Sequence, residues 1–153
     1  MSTRAEASTL TAARHVPRVA LEWISERPDE RHRELDGSLV FADISGFTAL
    51  SERLAAQGRV GAEEHVETLS ELFGSMLFTA ARRGGQLLKF GGDALLFFFP
   101  DGDHVVDACS TAVDMRQELR RTTSLTTSVG RISLSASIGV HSGPVDMFLV
   151  GGA

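Results

Sequence analysis

The chain has 153 residues, of which 42% are hydrophobic and 23% are charged, as in a single soluble globular domain. Its net charge of −5 argues against a nucleic-acid partner, and its longest apolar run, Ala94–Phe99, is far too short to insert across a membrane. The N-terminus lacks the apolar core of a signal peptide, and the single cysteine, Cys109, excludes an internal disulfide. These features predict a cytoplasmic protein.

The first 35 residues are predicted to lie outside the domain, as a flexible tail, a helix and a charged linker. The tail covers residues 1 to about 11, and the linker lies within a charged run at residues 26–36. Within that run, His32 is interpreted as solvent-exposed. Trp23 is expected to pack against the domain, because a tryptophan buries a large area. The helix is predicted from apolar residues on one face: Val16, Val19, Ala20, Trp23 and Ile24.

A strand that delivers a carboxylate to the start of a helix is predicted within residues 38–50. An apolar run ends at Asp43, and helical spacing begins after Ser45 and Gly46, with Ser45 as the expected N-cap. Free N–H groups at a helix N-terminus favour phosphate, and a neighbouring carboxylate can hold the accompanying Mg²⁺. The alternative is that Asp43 only caps the helix.

A long helix is predicted over residues 62–83, ending at Gly84-Gly85. Its apolar stripe consists of Val66, Leu69, Leu72, Phe73, Met76 and Leu77.

A tight hairpin is predicted at residues 90–93, where two glycines separate two strand-like apolar segments. Asp93 opens the outgoing strand; the alternative is a turn aspartate with exposed oxygens. A strand, a helical region and a hairpin form the first half of a ferredoxin-like fold. In that arrangement Asp43 and Asp93 lie side by side, as two-metal phosphoryl or nucleotidyl transfer requires.

The remaining residues are predicted to form a helix, a loop and two strands. The helix covers residues 101–121 with Cys109 as a small core residue, and residues 122–130 form a polar loop. Residues 131–141 form a strand, residues 141–144 a turn, and residues 146–150 the start of another strand.

The segments FADISGFT (residues 41–48) and KFGGDALL (residues 89–96) resemble the class III nucleotidyl cyclases, and within them the first catalytic domain of the soluble adenylyl cyclases. The resemblance covers residues 36–153. It implies an α+β fold, a ferredoxin-like palm (β-α-β-β-α-β) whose antiparallel sheet is covered by helices on one face. The palm is expected to be incomplete at the C-terminus.

The resemblance also implies a site at a dimer interface, at which ATP is converted to cyclic AMP and pyrophosphate. Asp43, Asp93 and the carbonyl of Ile44 are then the ligands of two Mg²⁺ or Mn²⁺ ions. The backbone N–H groups that bind phosphate are those of Ile44, Ser45, Gly46, Phe47 and Thr48.

Two further positions bear on base recognition in the family. Lys89 matches a lysine that contacts the purine, or that belongs to a degenerate pseudo-site where bicarbonate acts. Leu149 falls where the family has an acid or a threonine that reads the base, and leucine has neither donor nor acceptor. The family's ribose-orienting asparagine and transition-state arginine are expected beyond Ala153.

The chain is therefore predicted to be the metal-donating half of an asymmetric pair with a second cyclase domain, and inactive alone. Whether it is an enzyme stays open, because a non-catalytic regulatory or pairing module of a larger cyclase is the alternative. A diguanylate-cyclase-like palm is a remote alternative, since that signature needs an acid and an aromatic where Ala94 and Leu95 stand.

Overall fold

The computed structural model describes residues 16–100, 102–122, 125–132 and 134–150. The predicted tail, residues 1–11, lies outside this part of the chain. Within the described ranges the helices are α1 (Arg18–Glu26), α2 (Phe47–Ala55), α3 (Arg59–Ala81) and α4 (His104–Thr122). The strands there are β1 (His32–Ser45), β2 (Gln86–Gly91), β3 (Ala94–Phe99), β4 (Leu125–Thr127), β5 (Gly130–Ile132) and β6 (Ser135–Phe148).

The main sheet has the strand order β2-β3-β1-β6, and every neighbouring pair is antiparallel. The first strand therefore lies beside the outgoing strand of the hairpin, as a ferredoxin-like palm requires, and the predicted α+β class is confirmed. Residues 38–43 of β1 pair with both β3 and β6, whereas residues 32–37 pair with β6 alone. We call residues 32–37 and their partners 143–148 the β1–β6 arm.

The hydrophobic core lies between one face of this sheet and helices α2, α3 and α4. Along β1 the side chains alternate: Val40, Ala42 and Ile44 are buried in this core, whereas Phe41 is 50% exposed. This is the period of two that places successive residues on opposite faces. The helices contribute Leu50, Leu54, Leu72, Met76, Ala80, Ala108, Met115 and Leu119.

Helix α1 packs away from this core, against the arm and the start of β2. Trp23 is buried, with the Arg33 guanidinium 5.7 Å from the ring centroid, and the Val19 N–H donates a hydrogen bond of 2.8 Å to Gln86 Oε1. The predicted packing role of Trp23 is confirmed. None of the described helices combines the length and apolar character that crossing a membrane would need.

Two predictions about strand limits are wrong. β1 begins at His32, inside the predicted charged linker, and β6 runs without a turn through residues 141–144 to Phe148. Both errors have one cause, because a continuous ladder from His32↔Phe148 to Ser45↔Ser135 holds the two strands together. Pro144 is compatible with this ladder, since among the described strands β6 is an edge strand and lacks a partner on its other side.

Two predictions about the C-terminal half are also wrong. The segment interpreted as a polar loop, residues 122–130, contains β4 and the turn of the β4–β5 hairpin, and β5 continues into the first residues of the predicted strand 131–141. Cys109 is exposed and is not a core residue, because α4 turns Ala108, Thr111 and Met115 towards the sheet. Neighbouring helical residues are about 100° apart, so Cys109 falls beside the buried stripe.

Helix α3 begins earlier than predicted, at Arg59, and ends at Ala81. Gly61 lies buried in its first turn, where a Cβ would overlap the carbonyl oxygen of Leu54 in α2. This glycine therefore allows α2 and α3 to approach closely. Val66, predicted on the apolar stripe, is exposed, whereas Leu72 and Met76 are buried.

Candidate active site

Asp43 and Asp93 lie at neighbouring positions at one end of the main sheet. Asp43 is opposite Ala94 in the β1–β3 ladder, and Asp93 immediately precedes Ala94. The Ile44 N–H donates a hydrogen bond of 3.2 Å to the Asp93 carbonyl. Gly92, at φ 72, provides the left-handed residue that turns the chain back at this point. The fold therefore places two aspartates that are 50 residues apart in the sequence at adjacent backbone positions.

Among the residues that the structure describes, no positive charge neutralises either carboxylate. Both residues are partly buried, and within the described ranges no lysine, arginine or histidine forms an ion pair with either of them. The described residues contain no cluster of three or more His, Cys, Asp or Glu side chains that could hold a metal ion. Two hard oxygen donors without a soft ligand fit Mg²⁺ or Mn²⁺, whose other ligands are typically water and phosphate, better than they fit zinc.

The turn after Asp43 leads directly into the N-terminus of α2. Gly46, not the predicted Ser45, occupies the N-cap; it is left-handed at φ 93, and no side chain caps the helix. Ser45 is instead the last residue of β1. The first turn of a helix has N–H groups without an intrahelical acceptor, and the first helical bond here is from the Leu50 N–H to the Gly46 carbonyl. The N–H groups of Phe47 and Thr48 belong to that first turn and can bind an anion.

Lys89 and Leu149 lie on two neighbouring clefts. Lys89 is exposed on β2, opposite Leu96, and lines a cleft of about 730 Å³ together with Arg18 and Phe90. Leu149 lies just past the end of β6, where its N–H donates to the Arg31 carbonyl at 3.0 Å. It lines a second cleft, which shares the walls Pro17 and Leu88 with the first.

The structure does not bring Leu149 to the carboxylates. In the β1–β6 ladder Phe148 is opposite His32, whereas Asp43 is opposite Ser137. Leu149 therefore lies at the opposite end of β1 from Asp43.

One polar network was not predicted from the sequence. Ser38 Oγ is hydrogen-bonded to His104 Nδ1 at 2.8 Å and to Ser142 Oγ at 2.6 Å, and His104 Nε2 lies 3.5 Å from Asp36 Oδ2. Serine, histidine and aspartate are the residue types of a nucleophilic triad. Ser38 is 0% exposed, however, so a substrate has no access to its hydroxyl. The network ties the start of α4 to β1 and β6, and no local sequence pattern indicates it.

The sequence matches a family profile described as the adenylate and guanylate cyclase catalytic domain, over residues 30–153. Adenylate cyclase type 10 of Oryctolagus cuniculus is 28% identical over 144 residues, which is 91% of this chain and 9% of that protein. The Rattus norvegicus protein of the same name is 39% identical over 88 residues, which is 55% of this chain and 5% of that protein. The chain thus matches only a small part of the length of these relatives.

Solved structures agree with this match. A bacterial light-regulated adenylyl cyclase superposes with a TM-score of 0.76 over 98% of this chain and 44% of that chain; at 20% identity it supports the fold alone. The dimeric guanylyl cyclase domain of the RhoGC fusion protein from the aquatic fungus Blastocladiella emersonii is 30% identical. It has a TM-score of 0.60, over 80% of this chain and 65% of that chain. With a family profile matched over residues 30–153 and a cyclase palm as its fold, the chain belongs to the adenylate and guanylate cyclase catalytic domain family.

Proposed function

We propose that this chain is the metal-binding half of a nucleotidyl cyclase site that converts ATP to cyclic AMP and pyrophosphate. The observation that supports this most directly is the pair of unneutralised carboxylates, Asp43 and Asp93, beside the uncapped N-terminus of α2. A site that places anionic ligands and free N–H groups side by side suits a metal-bound triphosphate. A second cyclase domain, in trans or in a longer chain, supplies base recognition and transition-state stabilisation.

In this proposal the chain's own residues bind and orient the triphosphate. Asp43, Asp93 and the Ile44 carbonyl would hold the cations, and the N–H groups of residues 45–48 would bind the β- and γ-phosphates, whereas the Ile44 N–H, also predicted from the sequence, already donates to the Asp93 carbonyl. Two bound Mg²⁺ or Mn²⁺ ions would lower the pKa of the ribose 3′-hydroxyl and neutralise the triphosphate charge. The 3′-oxygen bonds to the α-phosphorus, the bond from that phosphorus to the bridging oxygen breaks, and pyrophosphate leaves. The hydroxyl proton passes to water.

ATP is proposed as the substrate because the curated relatives are adenylate cyclases. The guanylyl cyclase domain at 30% identity makes GTP the competing substrate. We also propose a cytoplasmic location, because the single cysteine is free and exposed. The family membership leaves no support for the diguanylate cyclase alternative.

The metal assignment is tested by titrating Mn²⁺ into the chain by calorimetry. We expect weak binding that is lost in both Asp43→Asn and Asp93→Asn, since each variant removes one of two carboxylate ligands. Asn keeps the size of the side chain and so limits effects on folding.

Asp29→Asn is the matched control, because Asp29 is an exposed aspartate distant in sequence from both acids. It should bind Mn²⁺ as the unmodified chain does. Equal heats for the unmodified chain and the Asp43→Asn variant would remove the metal assignment and leave the pairing-module alternative.

A further inference from the structure

Helix α3 carries a protruding aromatic ring next to a hollow, on the side that faces away from the sheet. Phe78 is 66% exposed, although phenylalanine is among the residue types most often buried. One turn earlier lies the exposed Gly74, where a Cβ would meet nothing within 4 Å. The core-facing residues Leu72, Met76 and Ala80 are offset from these positions by two residues, which is about 200° around the helix. The ring and the hollow are therefore neighbours on the outer side of α3.

Charged residues flank the ring and the hollow with opposite signs. Glu67 and Glu71 are exposed in the two turns before Gly74, and the exposed Arg82 follows Phe78 by one turn. The Arg82 guanidinium lies 5.9 Å from the centroid of the Phe78 ring. In the described part of the chain, none of these three charged side chains forms an ion pair. The outer side of α3 thus offers unpaired acids at one end of the patch and an unpaired base at the other.

Two copies of α3 in antiparallel orientation would match these features. If Phe78 of one copy fills the hollow at Gly74 of a second copy, Arg82 lies one turn further along, opposite Ser70 of the second copy. The neighbours of Ser70 on the outer side are the two glutamates, so the guanidinium comes between two carboxylates. Twofold symmetry repeats every contact, because the same patch then provides ring, hollow, acids and base on both copies.

We propose that the outer side of α3 is a docking surface for a second copy of this chain, in an antiparallel and twofold-symmetric pair. Insertion of the Phe78 ring at Gly74 removes exposed apolar surface from water and supplies most of the stability. The contacts of Arg82 with the two glutamates set the register and the orientation, as charge complementarity does at interfaces. The self-complementary patch favours a second copy over an unrelated protein.

This pair is separate from the proposed association with a second cyclase domain. Helix α3 covers one face of the sheet, the face on which Ala42 and Ile44 of β1 are buried. Asp43 lies between them in the strand and so belongs to the other face. Pairing through α3 would therefore leave the candidate active site open, and neither proposal depends on the other.

Sedimentation of the unmodified chain should show a monomer that becomes a dimer as its concentration rises to the millimolar range. Phe78→Glu and Gly74→Leu should each weaken the dimer at least about tenfold. Leucine at position 74 has room in the single chain and favours the helix, so its effect on the dimer does not arise from unfolding. Val60→Glu is the matched control, because Val60 is also 66% exposed on α3 but lies outside the overlap, and it should leave the dimer unchanged.

Exchange of the charges tests the register. Arg82→Glu, and separately the double variant Glu67→Arg with Glu71→Arg, should each dimerise at least about tenfold more weakly alone, because like charges then face each other. An equimolar mixture of these two proteins should recover the dimer, since every contact again joins opposite charges. An unmodified chain that stays monomeric, a dimer that survives Gly74→Leu, or a mixture no more associated than its separate components would overturn the proposal.

Discussion

At the scale of single residues, Gly46 decides the shape of the turn between β1 and α2, whose N–H groups we propose bind phosphate and which we call the phosphate-facing turn. Its φ of 93 lies in the left-handed region, which costs other residues about 1–2 kcal/mol. A glycine here lets β1 end and α2 begin within one residue of each other, so that the first-turn N–H groups lie close to Asp43. The turn and the Asp43 carboxylate thus belong to one short segment of the chain, and the conformation of Gly46 sets their relative positions.

Gly46→Ala is therefore expected to lower the free energy of unfolding by about 1–2 kcal/mol, through the strain of the left-handed conformation. It should also weaken binding of ATP in the presence of Mn²⁺, because the first-turn N–H groups move. Urea denaturation and calorimetry measure the two effects. Unchanged stability together with unchanged ATP binding would show that this turn tolerates a side chain and does not position the phosphates.

At the scale of elements, α3 contains two glycines with opposite surroundings. A Cβ at Gly61 would overlap the Leu54 carbonyl oxygen of α2, whereas a Cβ at Gly74 would meet nothing within 4 Å. Gly61→Ala should lower the unfolding free energy by about 1–3 kcal/mol through overpacking. Gly74→Ala should raise it by about 0.5–1 kcal/mol, because alanine favours the helix. Thermal unfolding of the two variants checks both signs, and stabilisation by Gly61→Ala would contradict the observed contact between α2 and α3.

The β4–β5 hairpin holds α2 and α3 together. The Glu64 carboxylate of α3 accepts hydrogen bonds from the backbone N–H (2.8 Å) and the hydroxyl of Ser128, and the Arg53 guanidinium of α2 donates to the Val129 carbonyl. Because α2 begins at the phosphate-facing turn, the contacts of the hairpin with α2 and α3 help to fix the position of the candidate site.

Glu64→Ala should accordingly increase amide hydrogen exchange at residues 128–130 and lower stability by about 1 kcal/mol, the size of a partly exposed hydrogen-bond pair. Glu67→Ala, one turn further along α3, is the control and should leave exchange in the hairpin unchanged. Equal exchange in the two variants would mean that Glu64 does not hold the hairpin.

At the scale of the whole molecule, we propose that a second domain completes the site. Mixing the chain with a cyclase domain that carries base-recognition and transition-state residues should give cyclic AMP from ATP and Mn²⁺. That activity should fall to background in Asp43→Ala and Asp93→Ala.

Lys89→Ala should leave turnover within about tenfold, equivalent to about 1.4 kcal/mol, because we propose that Lys89 lines a pseudo-site and does not contact the substrate. The same variant should blunt any response to bicarbonate. If Lys89→Ala removes turnover as completely as Asp93→Ala, the lysine contacts substrate.

Local patterns determined the two segments that build the candidate site. An apolar run ending in Asp43, followed by glycine and helical spacing, needs only neighbouring residues to become a strand, a turn and a helix, and the same is true of the hairpin at Gly91 and Gly92. The topology that brings Asp43 beside Asp93 followed from the order of these elements.

Tertiary structure decided the features that depend on distant partners. The length of β6 was set by fourteen residues of pairing with β1, which overrode the turn signals at Gly143 and Pro144. The exposed position of Cys109 was set by which side of α4 meets the sheet, since a rotation of about 100° per residue separates core from surface. The Ser38–His104 contact arises where segments far apart in the chain pack together, and no short-range pattern of residue types encodes such packing.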